Sequence, residues 1–256
     1  MSETQFQVIT PISAQRQGPS DESELASQLL HGEVVTFERE AAGWVYARAI
    51  RDGYQGWVKR SDLAEPVLIP THRVRALRTY VFPEPNLKTA TLGVLSMNAK
   101  IAAGVRQDRF TQVPRLGWVF TPHLAALGEW EADWVAVAEQ FQGAPYQWGG
   151  RESIGLDCSG LIQTALEAAG LRAPRDSGDQ EAWMRERGET LAINEDLSGL
   201  QRGDVVFWPG HVGVMVDETR FLHANAHHMA CVIEPISLAA KRIAFKHAPI
   251  RSIIRL

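Results

Sequence analysis

The residues of this chain that are best suited to chemistry are one cysteine and two histidines. Cys158 stands in the run Asp-Cys-Ser-Gly, His211 in His-Val-Gly and His223 in His-Ala. A cysteine thiol becomes an effective nucleophile when a neighbouring base takes its proton and a third polar group orients that base. The set therefore predicts acyl transfer through a cysteine nucleophile, with peptide hydrolysis as the leading reaction.

Cys158 is predicted to open a helix. Apolar residues follow it at helical spacing as far as Ala168, and Gly170 supplies a stop. Unpaired N–H groups and partial positive charge at a helix N-terminus favour a thiolate and can also stabilise an oxyanion. The small residues Ser159 and Gly160 leave room for a substrate. We therefore expect a thiolate at this helix start.

The two histidines are predicted to lie on paired strands. His211 follows a Pro-Gly pair and opens a short apolar strand, and turn residues at 217–219 separate that strand from the one that holds His223. Pairing of the two strands as a hairpin brings the imidazoles side by side. One histidine then acts as the base and the other orients it.

The elements that must position these residues fall into three segments. The first two each end in Gly-Trp-Val, at 56–58 and 117–119, followed by a polar turn and a leucine, and their short strands indicate small β-barrels. Helical spacing begins at Trp130 and runs to Phe141, and the chain turns β-rich past Gly203, so the last segment is α+β. The predicted domains are 1–65, 66–127 and 128–256.

Composition excludes several classes of protein. The net charge is −4 with no basic stripe, which argues against nucleic acid as a partner. No apolar run approaches the length of a membrane span, the two cysteines are too few for a disulfide framework, and the first residues lack a secretory pattern. We expect a cytoplasmic protein without membrane insertion, and the sequence carries no signal for its oligomeric state.

From Trp130 to the C-terminus, the order of motifs resembles that of the NlpC-type cell-wall cysteine peptidases, a papain-like group. The five matching runs are 146–150 (YQWGG), 157–160 (DCSG), 203–207 (GDVVF), 211–213 (HVG) and 223–224 (HA). The two leading segments resemble bacterial SH3-like domains through their Gly-Trp-Val hairpins. The implied fold is multidomain, with two small all-β SH3-like barrels followed by an α+β papain-like catalytic domain.

The resemblance also implies roles for individual residues. Cys158 corresponds to the nucleophile, His211 to the base, His223 to the orienting residue, and Tyr146 to a group that assists the oxyanion. No cofactor and no metal are implied. The residues implied to bind substrate in the catalytic domain are Asp157, Ser159, Arg175, Asp176 and Ser177.

Relatives with two front domains bind the free amino group of the substrate's terminal L-alanine through an acid and a tyrosine of the first domain. Glu33 and Tyr54 are the candidates for those roles. The implied reaction is hydrolysis of the γ-D-glutamyl–diamino acid bond of murein peptides. It would release L-Ala-γ-D-Glu from peptides with a free N-terminal L-Ala, as in cell-wall peptide recycling. The alternatives are a papain-like amidase or acyltransferase on wall peptides, or a non-catalytic peptidoglycan-binding protein.

Several of these residues also fit plainer structural roles. Asp157 suits a helix N-cap, Tyr146 suits packing beneath the nucleophile's loop, and Glu33 suits a solvated strand position. Cys231 fits a small buried apolar residue. The histidine pair at 227–228 has no cysteine or carboxylate at ligand spacing in the sequence, which favours a surface loop over a metal site.

Overall fold

A computed structural model describes residues 4–256 of the chain. The structure divides into two compact units, the first ending at Trp130 and the second beginning at Glu131. Among the described residues, no helix is both long enough and apolar enough to cross a membrane.

The first unit opens with a seven-stranded antiparallel sheet. Alternate side chains of its strands point inward and meet in a core that includes Val8, Val35, Val45 and Val58. The strands are β1 (Gln5–Val8), β2 (Ile12–Arg16), β3 (Leu25–Leu30), β4 (Val34–Ala41), β5 (Trp44–Ala49), β6 (Gln55–Lys59) and β7 (Leu63–Ala64). Their order across the sheet is β3-β2-β6-β5-β4-β1-β7.

The rest of the first unit contains two smaller antiparallel sheets around a second core. This core includes Val74, Val81, Leu95, Ile101 and Val119. The strands are β8 (His72–Val74), β9 (Arg78–Phe82), β10 (Gly93–Ser96), β11 (Lys100–Ile101), β12 (Arg106–Gln107), β13 (Phe110–Val113), β14 (Gly117–Phe120) and β15 (Leu124–Ala126). The orders across the two sheets are β10-β9-β14-β13-β12 and β11-β8-β15.

The repeated Gly-Trp-Val motif has the same local structure in both places. β6 runs into a 3-10 turn at Arg60–Asp62, and β14 runs into one at Thr121–His123. Each turn leads directly into a short strand that begins with a leucine, β7 or β15. The predicted succession of hairpin strand, polar turn and leucine is confirmed in both copies.

The second unit combines helices with a six-stranded antiparallel sheet. Its helices are α1 (Trp134–Glu139), α2 (Cys158–Ala168), α3 (Ser177–Arg185) and α4 (Ile236–Lys246). Its strands are the pair β16 (Arg151–Glu152) and β17 (Gly155–Leu156), then β18 (Glu189–Leu191), β19 (Val205–Trp208), β20 (His211–Met215), β21 (Arg220–Asn225), β22 (Ala230–Pro235) and β23 (Ser252–Arg255). The sheet order is β18-β23-β19-β20-β21-β22.

The first predicted helix begins later than expected. Helical spacing starts at Trp130, but α1 begins at Trp134 because the Asp133 side chain accepts hydrogen bonds from the N–H groups of Val135 and Ala136. Trp130 instead lies outside the helix, with the guanidinium of Arg73 over its ring at 5.7 Å. The cap, rather than the first apolar residue, sets the start of the helix.

Helices α3 and α4 lie outside the sequence predictions. Within α3 the buried residues are Gln180, Glu181 and Met184, and within α4 they are Ile236 and Ala239. A helix that buries so few apolar side chains leaves a weak periodic pattern in the sequence. By contrast, every residue of α2 is buried, and its predicted limits at Cys158 and Ala168 are confirmed.

Candidate active site

Cys158 is the first residue of α2, as predicted. Its side chain is largely buried, with 8% of its surface exposed, and its sulfur accepts the backbone N–H of Val212 at the start of β20. Val212 directly follows His211. The contact therefore ties the cysteine at the helix N-terminus to the strand that begins with the first histidine. Both Cys158 and Cys231 are buried free thiols.

Asp157 caps α2 and organises the loop around the cysteine. One carboxylate oxygen accepts the N–H of Gly160 at 2.7 Å, and the other accepts the N–H of Gly149 at 2.9 Å. The Arg175 guanidinium donates to both oxygens, at 3.0 and 2.6 Å, and to Ser159 Oγ at 2.8 Å. The side chain of Arg175 is 1% exposed. This buried bidentate pair holds the chain segments on both sides of Cys158 together.

The other two predicted residues of this segment lie at the start of α3. Asp176 is exposed, and its side chain makes no cap hydrogen bond, while Ser177 is half-buried as the first helical residue. Gln180 on the same helix donates to the backbone carbonyl of Ser159 at 2.9 Å. The substrate-binding roles of Arg175, Asp176 and Ser177 stay predictions.

Tyr146 is half-buried and lies close to the nucleophile. The backbone of Tyr146 forms an isolated parallel β-bridge with Leu156, which lies two positions before Cys158. Burial raises the pKa of the Tyr146 hydroxyl to about 12, and the nearby Cys158 and Asp157 add to the effect. The phenol therefore keeps its proton at neutral pH and is available as a hydrogen-bond donor.

His211 and His223 lie side by side on paired strands, as predicted. Strands β20 and β21 pair antiparallel around the Asp217 turn, and Nε2 of His211 lies 2.8 Å from Nδ1 of His223. His223 has no exposed surface, whereas His211 is half-buried. The outer imidazole is thus held by the inner one.

Sequence reasoning missed the residue that holds the inner imidazole. His223 Nε2 lies 2.8 Å from an oxygen of Glu234, and Arg242 on α4 donates to both oxygens of that carboxylate, at 2.7 and 2.5 Å. On β22, Val232 lies directly opposite His223, so Glu234 is its diagonal neighbour on the same face. An acid in the apolar strand 230–235 is the signal that marks this position.

The contact with Glu234 decides where the protons lie. Arg242 and His223 hold the pKa of Glu234 at about 2 against the effect of burial, so the carboxylate is ionised and can only accept. His223 must therefore carry its proton on Nε2, which leaves Nδ1 to accept the N–H of His211 Nε2. Asn225 Nδ2 also lies 3.0 Å from His223 Nε2. Because an amide NH2 group only donates, it cannot take the place of the Glu234 carboxylate as the acceptor for the proton on Nε2. Nδ1 of His211 is left as the basic nitrogen.

The protonation state of the cysteine differs from the expected thiolate. Burial raises the pKa of Cys158 to about 12, and the Asp157 carboxylate acts in the same direction. Burial also lowers the pKa of His211 to about 3, with contributions from His223 and Arg242. Both groups are neutral at physiological pH. In the resting site the thiol therefore keeps its proton, and the helix N-terminus is outweighed by burial and the neighbouring carboxylate.

A glycine makes room for the histidine pair. A Cβ atom at Gly213 would lie 2.8 Å from Cβ of His223 and 2.7 Å from the carbonyl oxygen of Leu222. These distances are shorter than real Cβ contacts allow. The glycine in the His-Val-Gly run thus lets β20 and β21 approach closely enough for the imidazoles to meet.

One metal-compatible group exists among the described residues. The ligand atoms of His223, His228 and Glu234 lie within 4.8 Å of one another, so the fold brings a carboxylate close to His228 that the spacing in the sequence does not indicate. The sequence hides this group because Glu234 lies on the next strand. Both oxygens of Glu234 already accept hydrogen bonds from Arg242, so an added cation would compete with that guanidinium.

Glu33 and Tyr54, the candidates for binding the substrate's amino group, belong to one charged cluster in the first unit. Glu33 is buried in the turn before β4, where its carboxylate accepts the N–H of Leu30 and pairs with Arg51 at 3.2 Å. Arg51 also pairs with Asp52, whose carboxylate accepts the N–H of Tyr54 at 3.1 Å. The expectation of a solvated strand position for Glu33 is therefore wrong, because an internal ion pair and a backbone N–H satisfy the buried carboxylate.

The fold and the site together define a class of protein. A thiol at a helix N-terminus, tied through the Val212 N–H to the strand of an imidazole that further hydrogen bonds orient, is the arrangement of peptidases that act through a cysteine. Residues 143–241 match the NlpC/P60 family, and residues 16–63 match the bacterial dipeptidyl-peptidase SH3 domain. The chain carries an NlpC/P60 peptidase domain preceded by an SH3-like domain of this type.

Two relatives match this chain over most of its length. Dipeptidyl-peptidase 6 of Lysinibacillus sphaericus is 25% identical over 233 residues, covering 81% of this chain and 82% of that protein. The γ-D-glutamyl-L-lysine dipeptidyl-peptidase of Bacillus subtilis is 28% identical over 236 residues, covering 82% and 75%. A crystal structure of an NlpC/P60 family protein from Bacillus cereus has a TM-score of 0.77 at 18% identity, covering 98% of this chain and 99% of that one, and shows the shared fold.

Proposed function

We propose that the protein is a cysteine peptidase that hydrolyses the γ-D-glutamyl–diamino acid bond of murein peptides. The observation that carries the proposal is the relay from His211 through His223 to Glu234, together with Cys158 at the start of α2, whose sulfur accepts the N–H of Val212 beside His211. The names and coverage of the two dipeptidyl-peptidase relatives support this bond as the target.

The relay gives each residue a step. As Cys158 Sγ attacks the γ-glutamyl carbonyl carbon, its proton moves to Nδ1 of His211, and His223 with Glu234 stabilises the imidazolium that forms. The imidazolium then protonates the departing amine of the diamino acid, which leaves a thioester on Cys158. Water, deprotonated by His211, hydrolyses the thioester and restores the thiol. Tyr146 and the free N–H groups at the start of α2 are the proposed donors to the oxyanion.

The proposal includes recognition of a free N-terminal L-alanine by the first domain. Glu33 and Asp52 place two carboxylates beside the Arg51 guanidinium, and a carboxylate is the group that suits a substrate ammonium ion. Tyr54, held by Asp52, is the proposed second contact. Such recognition restricts the enzyme to trimmed peptides and makes L-Ala-γ-D-Glu the product.

The division into domains 1–65, 66–127 and 128–256 also belongs to the proposal. We infer that residues 66–127 form a second SH3-like domain. The support is that β14, its 3-10 turn and β15 repeat the order of β6, its turn and β7.

Mass spectrometry of L-Ala-γ-D-Glu-diaminopimelate after incubation with the protein tests the reaction. We expect release of L-Ala-γ-D-Glu, and a loss of at least about a thousandfold in the Cys158→Ala variant, because the nucleophile is gone. The matched control is Cys231→Ala, which removes the other buried thiol and should retain turnover. Full activity of Cys158→Ala would refute the mechanism. Transfer of the acyl group to an added amine, rather than to water, would favour an acyltransferase.

The N-acetylated form of the same peptide tests recognition of the amine. We expect the wild-type protein to cleave it poorly, and Glu33→Gln and Tyr54→Phe to raise KM for the free peptide. Glu40→Gln, an exposed acid on β4, is the control and should leave KM unchanged. Equal cleavage of the free and acetylated peptides would mean an open groove and would remove the dipeptidyl restriction.

A further inference from the structure

Three side chains that can bind a metal converge at the inner end of the relay. The ligand atoms of His223, His228 and Glu234 lie within 4.8 Å of one another. Two imidazole nitrogens and one carboxylate oxygen form a donor set that zinc sites of proteins use, with water in the fourth position. Magnesium and calcium prefer oxygen ligands alone, so this set favours Zn²⁺ over those two ions.

His228 is held at the edge of this group by Asn225. The side-chain oxygen of Asn225 accepts the backbone N–H of His228 at 2.9 Å and lies 3.0 Å from its Nδ1. Nδ1 of His228 also lies 4.0 Å from Oε1 of Glu234. Tetrahedral coordination with bonds of about 2.0–2.1 Å places ligand atoms roughly 3.3 Å apart. His228 is exposed, so a shift of its imidazole closes the remaining distance.

The proton between His223 and Glu234 marks the position of the ion. Nε2 of His223 lies 2.8 Å from Oε1 of Glu234, and the proton on Nε2 occupies the space between these two atoms. Oε1 offers two lone pairs, of which one accepts from His223 and the other from Arg242. An ion that replaces the Nε2 proton uses the first lone pair, while Arg242 keeps its bond to Oε2. The guanidinium therefore opposes the ion by charge but does not use that lone pair.

Zinc on Nε2 of His223 reverses the proton positions of the relay. A neutral imidazole carries one proton, so His223 with zinc on Nε2 carries its proton on Nδ1. The Nε2 proton of His223 leaves to water, and the Nε2 proton of His211 moves to Nδ1 of His223, 2.8 Å away. Water then supplies a proton to Nδ1 of His211, which keeps both imidazoles neutral. In this state Nδ1 of His211 can no longer accept the proton of Cys158.

We propose that His223, His228 and Glu234 form an inhibitory Zn²⁺ site that switches the enzyme off by reversing this tautomer. Binding of the ion rests on the three side chains alone, whereas inhibition rests on the proposed peptidase function. The ion is a regulator rather than a cofactor, since the general base works only without it. Removal of zinc by a chelator restores the active tautomer.

Equilibrium dialysis of Zn²⁺ against the Cys158→Ala variant measures binding without the nucleophile, whose sulfur is itself a zinc ligand. We expect one tightly bound ion per chain. Adding His228→Ala should raise the dissociation constant at least about tenfold, because even a residue that only supports a metal ligand contributes that much. His227→Ala is the matched control, an exposed neighbour outside the group, and should leave the dissociation constant unchanged. Equal zinc affinity with and without His228 would overturn the site.

Turnover of L-Ala-γ-D-Glu-diaminopimelate at buffered concentrations of free Zn²⁺ tests inhibition. We expect zinc to lower kcat, EDTA to restore it, and Mg²⁺ at the same concentration to have no effect. His228→Ala should keep the basal activity but need at least about tenfold more zinc for half inhibition. His227→Ala should be inhibited like the wild-type protein.

The outcomes separate this inference from the proposed function. Zinc inhibition of the same strength in His228→Ala would place the ion elsewhere, for instance on the Cys158 thiol, and would overturn the inference while the peptidase proposal stands. Zinc binding that depends on His228 without any effect on turnover would overturn the tautomer switch. A wild-type protein that cleaves no peptide would refute the proposed function and the inhibitory role together, while dialysis decides the zinc site by itself.

Discussion

Nε2 of His223 lies 2.8 Å from Oε1 of Glu234, and this contact fixes the proton positions of the whole relay. Because Glu234 is ionised and paired with Arg242, His223 carries its proton on Nε2 and accepts from His211 on Nδ1. Nδ1 of His211 is left without a proton, which is the state a general base requires. A residue absent from the sequence motifs thus selects the tautomer of the base.

Replacement of Glu234 by glutamine should reduce kcat about a hundredfold with little change in KM, because the amide no longer enforces the tautomer or stabilises the imidazolium. The pH profile of kcat should change as well, which a loss of packing alone would not cause. Glu218→Gln, at an exposed position in the turn between β20 and β21, is the control. Normal kcat in Glu234→Gln would remove Glu234 from the relay.

Replacement of Gly213 by alanine should lower both the free energy of unfolding and kcat. The added methyl group would meet His223 and the Leu222 carbonyl, and overpacking of this kind costs about 1–3 kcal/mol. Gly178→Ala is the matched control, since a Cβ atom there meets nothing within 4 Å. Urea unfolding and turnover assays on both variants check this, and equal stability of the two would contradict the close approach of the strands.

Activity should persist well below pH 6.5, the ordinary pKa of histidine. The base must be neutral to act, and burial lowers the pKa of His211 to about 3, so the imidazole stays uncharged as the pH falls. Burial also raises the pKa of Cys158 to about 12, so the neutral pair persists into alkaline solution. A profile of kcat/KM from about pH 4.5 to about pH 10 should show a broad plateau.

Circular dichroism must accompany that profile. The pKa values of His211 and His223 are lower in the folded state than the ordinary value, so the unfolded state binds more protons and the free energy of unfolding falls as the pH drops below about 6.5. Loss of activity counts only while the protein remains folded. An acid limb centred near pH 6.5 in the folded enzyme would contradict a neutral resting pair.

Replacement of Arg175 by lysine should lower the free energy of unfolding by about 1–3 kcal/mol. Lysine keeps the charge but cannot donate to both oxygens of Asp157 and to Ser159 in one plane. Arg187→Lys, which changes an exposed ion pair, should have almost no effect. If Arg175→Lys raised KM without reducing stability, direct substrate binding would be its main role.

The sequence by itself determined the local elements of the site. Helix α2 begins at Cys158 because a run of apolar residues at helical spacing follows an Asp cap, and both signals are local. The hairpin of His211 and His223 follows from two short apolar strands around an Asp turn. The SH3-like domain at the front was also within reach, because its Gly-Trp-Val hairpin is a short-range pattern.

Only the tertiary structure decided how those elements act on one another. Glu234 reaches His223 because β22 pairs with β21 in one register, and Arg242 reaches Glu234 because α4 folds back over that strand. The N-terminus of α2 favours a thiolate at Cys158, but burial and the Asp157 carboxylate raise the pKa of the thiol and so oppose it. Register, burial and the field of distant charges depend on residues far apart in the chain, which local patterns do not contain.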